Sequence, residues 1–494
     1  MLRDTPATTA DVAEAPDDGG AASSASSPRF PLWRELVAGG LYLALLIAMG
    51  RAAAAPLSNT DTYFHLRFGE EFLGGWSLRH PGSVSTFATS SWLPTQWLPE
   101  MVMARTEEWL GLAGVAWLFA VMALGLMATL YLSARRWCGP LLAASLTCLA
   151  LLAASKGLSM RPQVLSFLLV ATFTTAWLRT RDDQKVRWWL VPLTWLWAMV
   201  HGMWPIGIGI GAVTVVGMAL DRSLPRRVLR RAALVPLLSA VVAALTPVGP
   251  ALYGAVLGVG SRAQYFSEWD SPDFRTFGCI VLGLMLALAA LLMLRRGVRT
   301  WVDVLLLLLC GICAVWSWRT VPVAAVMLVP LVAVQAHAGR DRPPAPRRVE
   351  RLLVAGASVA ALAVLAAVVP HTSDQPPSQP SWVDPALSSL PPGTKVVDSW
   401  DWGGYLMWRY PQLDLLMHGY GDTFTAAELQ RNTDIEGLAP GWDDELRATG
   451  CTVAVLRPTA LAYALEHQEH WTVLHRSPGI VELRAPSDWN RSSP

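Results

Sequence analysis

The chain has 494 residues, 53% of them hydrophobic and only 15% charged. Soluble domains carry about 25% charged residues, so the deficit places most of this chain against lipid or other apolar helices. A net charge of +2 provides no field to attract nucleic acid and excludes it as a natural partner.

Residues 1–28 are rich in Ala, Ser, Asp, Thr and Pro without an apolar period, and read as a disordered cytoplasmic tail. The apolar segment that follows is long and has no clear cleavage site, so it is not a signal peptide. Leu36–Ala55 is long enough to cross a bilayer as a helix. Apolar stretches follow at Leu110–Ser133, Leu141–Ala154, Val164–Leu178, Trp188–Val200, Pro205–Leu220, Ala232–Leu245, Phe277–Leu294, Val302–Val315, Val321–Ala336 and Leu352–Val369. They predict an α-helical polytopic membrane domain over residues 29–370 with about eleven spans, the pair around His201 being two short spans or one broken element.

Charge sets the orientation. Arg135 and Arg136 follow the second span. Arg179, Arg181, Lys185 and Arg187 follow the fourth, and Arg222, Arg226, Arg227, Arg230 and Arg231 the sixth. Arg295, Arg296 and Arg299 follow the eighth, and Arg340, Arg342, Arg347, Arg348 and Arg351 the tenth. Every second loop is basic, which predicts a cytoplasmic N-terminus and an extracytoplasmic C-terminus. The outer loops are then a long first one over 56–109, Ser155–Arg161, His201–Trp204, Thr246–Thr276, Trp316–Thr320, and everything after Pro370. Within the first, Thr62–Leu73 has the pattern of an amphipathic helix lying on the membrane surface.

Residues 371–393 are Pro- and Ser-rich, a linker. Residues 394–494 read as a small extracytoplasmic α/β domain. Its expected strands are Lys395–Asp398, Leu413–Leu416, Thr452–Leu456 and Ile480–Leu483, and its expected helices Ala426–Asn432 and Trp442–Thr449. Of six cysteines, Cys310 and Cys313 form a C-x-x-C inside an apolar run, where they read as small packing residues; no disulfide framework is implied.

Chemistry is sought among outer polar groups, because ionisable residues near a membrane are costly and tend to be functional. Asp61, just after the first span, is placed to deprotonate an acceptor hydroxyl or to cap the following helix. Glu268, Asp270 and Asp273 surround Trp269 and Pro272 on one outer loop, a set suited to a sugar, to a divalent cation such as Mg or Mn, or only to water. Lys156, Arg161 and Arg319 each end an apolar span; they would hold a phosphate or merely snorkel. His201 follows a Trp-rich span and faces a ligand or anchors the interface. In the C-terminal domain, Trp400-Asp401-Trp402-Gly403-Gly404 suggests a tight turn presenting aromatic and acidic groups, with His418, Tyr420 and Asp422 able to reach the same rim.

Taken together, these segments resemble the GT-C superfamily of membrane glycosyltransferases, and most of all its largely uncharacterised bacterial members. The matching pieces run in order: Asp61-Thr62-Tyr63-Phe64-His65-Leu66-Arg67-Phe68-Gly69, Trp92 through Gln96 and Trp97 to Glu100, Arg161-Pro162-Gln163, His201-Gly202, Thr246-Pro247-Val248-Gly249, Glu268 to Pro272, and Arg319 to Pro322. Ser399-Trp400-Asp401-Trp402 also looks like the Trp-Trp-Asp signature of oligosaccharyltransferase catalytic subunits, with Ser399 where the first Trp would stand.

The resemblance implies transfer of a sugar or glycan from a polyprenyl-phosphate donor to an extracytoplasmic glycan, lipid or protein acceptor at the cell envelope. It implies catalytic or metal-binding roles for Asp61 and Glu268. It implies substrate contacts for His65, Arg67, Gln96, Glu100, Lys156, Arg161, His201, Trp269, Asp270, Arg319, Trp400, Asp401 and Trp402. The family's Asp-x-Asp metal pair is missing, since Ser155–Arg161 has no acid. A flippase for lipid-linked glycans and a non-catalytic envelope scaffold remain open alternatives.

Overall fold

A computed structural model describes residues 31–296, 300–337, 348–372 and 379–489. The expected tail over 1–28, the basic-loop residues Arg299, Arg340, Arg342 and Arg347, and part of the expected linker lie outside the described residues.

Thirteen helices come first: α1 (Leu32–Ala53), α2 (Asp61–Leu73), α3 (Trp97–Arg135), α4 (Pro140–Ala153), α5 (Gln163–Asp183), α6 (Leu190–Val200), α7 (Trp204–Leu220), α8 (Arg226–Ala243), α9 (Ala251–Gly258), α10 (Phe277–Arg296), α11 (Trp301–Trp316), α12 (Val321–His337) and α13 (Arg348–Thr372). Each of the eleven apolar stretches falls on a helix of its own, and His201, in extended backbone, separates α6 from α7. Among the described residues five segments are long and apolar enough to cross a membrane: α1, α3, α10, α13 and Trp318–Ala336, which takes in all of α12 but its last residue. Others are shorter; α6, at 11 residues, is about 16 Å long, roughly half a bilayer's hydrocarbon core.

Packing explains which helix sits where. In the α12 segment 78% of the apolar window is buried, and its Ala324, Ala325 and Ala333 let neighbouring helices close on it. In α13 the share is 17%, which leaves it on the periphery. Leu43 and Ile47 on α1, Leu284 and Leu294 on α10, and Leu352, Val359 and Val364 on α13 are exposed. Such a belt of large apolar side chains is unfavourable in water and at home in lipid. The chain is a multi-pass membrane protein.

The two ends of the bundle differ. At one, Arg135 holds Glu350 through two hydrogen bonds of 2.5 and 2.7 Å, Arg181 holds Asp303 at 2.7 Å, and Arg187 holds Asp183 at 2.7 Å. Asp61 and the C-terminal unit lie at the other. That unit contains α14 (Val383–Ser388), β1 (Lys395–Asp398), α15 (Trp400–Arg409), β2 (Asp414–Leu415), α16 (Ala426–Glu436), α17 (Trp442–Thr449), β3 (Val453–Leu456), α18 (Ala460–His467), β4 (Thr472–Ser477) and β5 (Ile480–Arg484). The sheet order is β2-β1-β3-β5-β4. β1 pairs parallel with β2 and β3, while β5 is antiparallel to β3 and β4. The four expected strands are present. β4 was not expected, because this edge strand is largely solvated and lacks an apolar alternation.

Two local expectations are corrected. The segment from Thr62 is helical, but its apolar face packs on protein and is not left open to lipid. α2 is wedged between α3 and α15, with Tyr63, Leu66 and Phe68 fully buried. Gly69 makes the wedge feasible: a β-carbon there would lie 2.1 Å from the Glu100 carbonyl oxygen. The Trp400–Gly404 segment is the first half of α15, not a tight turn, and neither glycine has a positive φ. These glycines serve close approach instead. A β-carbon on Gly403 would meet His418 Cα at 2.6 Å, and one on Gly404 would meet the Thr60 oxygen at 2.3 Å.

Candidate active site

The docking of α15 on the loop before α2 fixes where α2 begins. Asp61 is its first residue, with the backbone N–H donated to Asn59 Oδ1 at 2.9 Å. Asn59 thus does the capping, and the Asp61 carboxylate is free for another partner. The Thr62 hydroxyl donates to the Met160 carbonyl at 2.8 Å, pinning the start of α2 to the turn that leads into α5. Arg161 is the next residue. Its Nη1 donates to Asp61 Oδ2 at 2.6 Å and to Glu268 Oε1 at 2.5 Å, while Nε donates to Ser159 Oγ at 3.1 Å.

Glu268 sits in a single 3-10 turn, Ser267–Trp269, and a second such turn, Trp318–Thr320, precedes α12. The Trp318 N–H donates to the Asp270 carbonyl at 3.1 Å and joins the two turns. Arg319 Nη1 consequently lies 3.8 Å from Glu268 Oε2, and its guanidinium carbon 5.3 Å from the Trp269 ring centre. Lys156 Nζ lies 3.8 Å above the Trp318 ring, and among the described residues it makes no ion pair. Four segments far apart in the chain therefore place Asp61, Lys156, Arg161, Glu268 and Arg319 at one end of the bundle.

The Arg161 side chain is only 11% exposed, whereas Asp61 is 31% and Glu268 40% exposed. The guanidinium thus lies deeper than the two carboxylates, which reach solvent. Their electrostatics diverge. Burial pushes the Asp61 carboxyl above the usual range, more strongly than Arg161 pulls it down. For Glu268 burial acts the same way, but Arg161 and Arg319 outweigh it and hold the group below its ordinary value. Two acids whose environments drive them apart are the usual arrangement for dividing proton transfer from charge stabilisation.

Behind this cluster lies a buried polar layer. His65 Nδ1 and Glu100 Oε1 share a hydrogen bond of 2.9 Å, both residues being shielded from solvent. Burial, reinforced by Arg161, His201 and Arg319, keeps His65 well below its ordinary value and hence neutral. Gln96 is buried at the start of α3. His201 is buried too, and its Nδ1 accepts the Met203 N–H at 3.3 Å. Arg67 instead pairs with Glu70 and Glu71 on its own helix, at 3.4 and 2.5 Å.

The expected residues of the C-terminal unit separate. Trp400 packs on Phe266 and Phe424, at ring distances of 5.8 and 5.9 Å. Asp401 pairs with Arg457 at 3.1 Å and is largely exposed, and Trp402 packs near Tyr405. None of the three is brought to Arg161. Asp422 is the acid that reaches inward. Arg262 Nη1 lies 3.8 Å from Asp422 Oδ1, and its Nη2 donates to Ser90 Oγ at 2.9 Å. Burial pushes Asp422 up, against the pull of Arg262 and Arg319. Arg262 was missed in the sequence, where a lone arginine in a long loop carries no motif.

A divalent cation between Asp61 and Glu268 does not fit this donor set. Both carboxylates are directed at one guanidinium, which fills the place such an ion would take. Among the described residues no group of three or more His, Cys, Asp or Glu side chains converges as metal ligands.

No protein-family model and no curated protein matches the sequence. Solved structures are similar. The archaeal oligosaccharyltransferase AglB from Archaeoglobus fulgidus, in complex with an inhibitory peptide and a dolichol-phosphate, aligns with a TM-score of 0.51 at 11% identity, over 87% of this chain and 70% of that one. ArnT from Cupriavidus metallidurans bound to undecaprenyl phosphate aligns with a TM-score of 0.50 at 16% identity, over 93% and 98%. The A. fulgidus oligosaccharyltransferase complex with Zn and sulfate gives 0.50 at 11% identity, over 92% and 73%. At such identities the likeness is one of fold, and the chain has the fold of the GT-C membrane glycosyltransferases.

Proposed function

We propose that the protein transfers a sugar or glycan from a polyprenyl-phosphate donor to an acceptor on the extracytoplasmic side. The reading rests above all on one observation: a half-buried acid, Asp61, is held by Arg161 beside Glu268, close to cations able to take a phosphate. Eleven helices cross or enter the bilayer in this account, with the basic ends of α3 and α5 cytoplasmic and the C-terminal unit outside.

The acceptor oxygen attacks the anomeric carbon, and the bond from that carbon to the phosphate oxygen breaks. The electron pair stays on the leaving phosphate, and the acceptor proton passes to Asp61 and on to water. Arg161 bonds Asp61 Oδ2, so Oδ1 is the oxygen left to receive that proton. Of the three candidate cations, Arg161 is neutralised by two carboxylates and Arg319 shares Glu268. Lys156, held over Trp318, is the one best placed to meet the phosphate. Because the phosphate already leaves well, positioning and charge stabilisation carry most of the catalysis. Glu268, Trp269 and Asp422 face the sugar and acceptor.

A flippase has less support. α12 runs through the bundle centre packed mostly by Val, Ala and Leu, with its buried polar side chain, Gln335, near its C-terminal end and not at mid-length. The test is reconstitution of the full chain in liposomes with radiolabelled polyprenyl-phosphate sugars and an envelope extract as acceptor. Label moving to acceptor, with inhibition by unlabelled polyprenyl phosphate, supports the reading. No transfer from any donor, with protein folded and correctly inserted, overturns it.

A further inference from the structure

We infer that the guanidinium groups of Arg161 and Arg319 take the place of a divalent cation in this site, so that it binds no divalent metal and any transfer it performs is metal-independent. The inference deepens the proposed reaction and rests on it for its catalytic meaning, but not for its metal content.

Charge and geometry carry it together. A pair of acids on separate loops facing one opening is a natural seat for a hard dication, which takes carboxylate oxygens first. Here Arg161 bonds both acids through a single nitrogen, and Arg319 approaches the second oxygen of Glu268. Two guanidiniums match the two carboxylates, so these acids need no metal ion to balance their charge. Arg161 is also too well held to swing aside, with its Nε on Ser159 and its side chain nearly buried. The two acids and burial act on it in opposite senses, and the acids prevail, raising its affinity for its proton further. A fixed guanidinium has a further consequence for chemistry. A dication would hold both carboxylates ionised, whereas Arg161 leaves Asp61 able to take up a proton.

The test uses the purified full chain in lipid nanodiscs and Mn2+ as probe, followed by the loss of the free-ion electron paramagnetic resonance signal. At about 1 mM Mn2+, the weak end of protein affinities for hard dications, wild type takes up no ion that depends on Asp61. Arg161→Ala, which frees both acids, gains one Mn2+ site, and Arg161→Ala combined with Asp61→Asn loses it. One bound Mn2+ in wild type that disappears in Asp61→Asn overturns the inference, whether or not the Arg161 variants fold. In the liposome assay, transfer by wild type persists in EDTA; transfer abolished by EDTA and restored by Mn2+ overturns it as well. Should no donor be used at all, the transfer reading falls, and the Mn2+ titration still decides the metal question.

Discussion

Gly404 lies against the carbonyl of Thr60, and a β-carbon in its place would come within 2.3 Å of that oxygen. Thr60 immediately precedes Asp61, so the seat of the C-terminal unit and the position of the candidate base are one contact apart. Gly404→Ala is expected to lift α15 away from α2, at roughly 1–3 kcal/mol for overpacking. Limited proteolysis should then cleave the first loop and the C-terminal unit faster, and transfer should fall even though Gly404 touches no substrate. Unchanged cleavage would mean that α15 packs less tightly than the contact implies.

Lys156 is expected to set affinity for the lipid phosphate rather than the rate of the chemical step. Lys156→Ala should weaken binding of polyprenyl phosphate by about tenfold, the loss of one charge-assisted contact of about 1.5 kcal/mol. Lys156→Arg should keep most of it. Native mass spectrometry of the chain with added polyprenyl phosphate reads this directly.

The pH profile should carry the signature of Asp61. Its carboxyl is raised by burial, so it protonates at a higher pH than a free aspartate. A base must be ionised, so transfer should fall as the pH drops through that raised value, with the acid limb above the ordinary aspartate range. Glu268, held down by its two arginines, remains charged over the same interval and adds no second limb.

Asp398, buried at the end of β1, is raised by burial to about 7, against the pull of the Met417 N–H. The folded chain therefore keeps a proton that the unfolded chain releases near pH 4. Stability of the C-terminal unit is greatest below that pH and declines as pH rises to about 7, by at most about 4 kcal/mol. Hydrogen-exchange protection at β1 and β3, taken relative to the intrinsic base-catalysed rate at each pH, should fall over this interval in wild type and far less in Asp398→Asn.

The sequence carried the helices well because a bilayer demands long apolar runs, and every such stretch lies on a helix. Two of the basic residues whose spacing suggested alternating loops, Arg135 and Arg181, pair with acids at the starts of other helices, Glu350 on α13 and Asp303 on α11. Asp61, Glu268, Arg161 and Arg319 were recognisable singly, as ionisable groups beside apolar segments. Their pairing was not, because Arg161 and Glu268 are separated by more than a hundred residues and join only through folding. The glycine pair in α15 misled for a definite reason. Adjacent glycines are a turn signal in isolation, and only the packed neighbours reveal that the absent β-carbons make room. Arg262 and its contact with Asp422 were silent for the same cause, having no local pattern at all.

The most direct measurement is label transfer from a polyprenyl-phosphate sugar by Asp61→Asn beside wild type, in liposomes, at equal amounts of folded protein. Asparagine keeps the size of the side chain and can still accept a hydrogen bond from Arg161, but cannot take up the acceptor proton. The account predicts a loss of about a hundredfold or more, the usual share of a general base. Transfer by Asp61→Asn at the wild-type rate would contradict it and leave Asp61 as a partner of Arg161 alone.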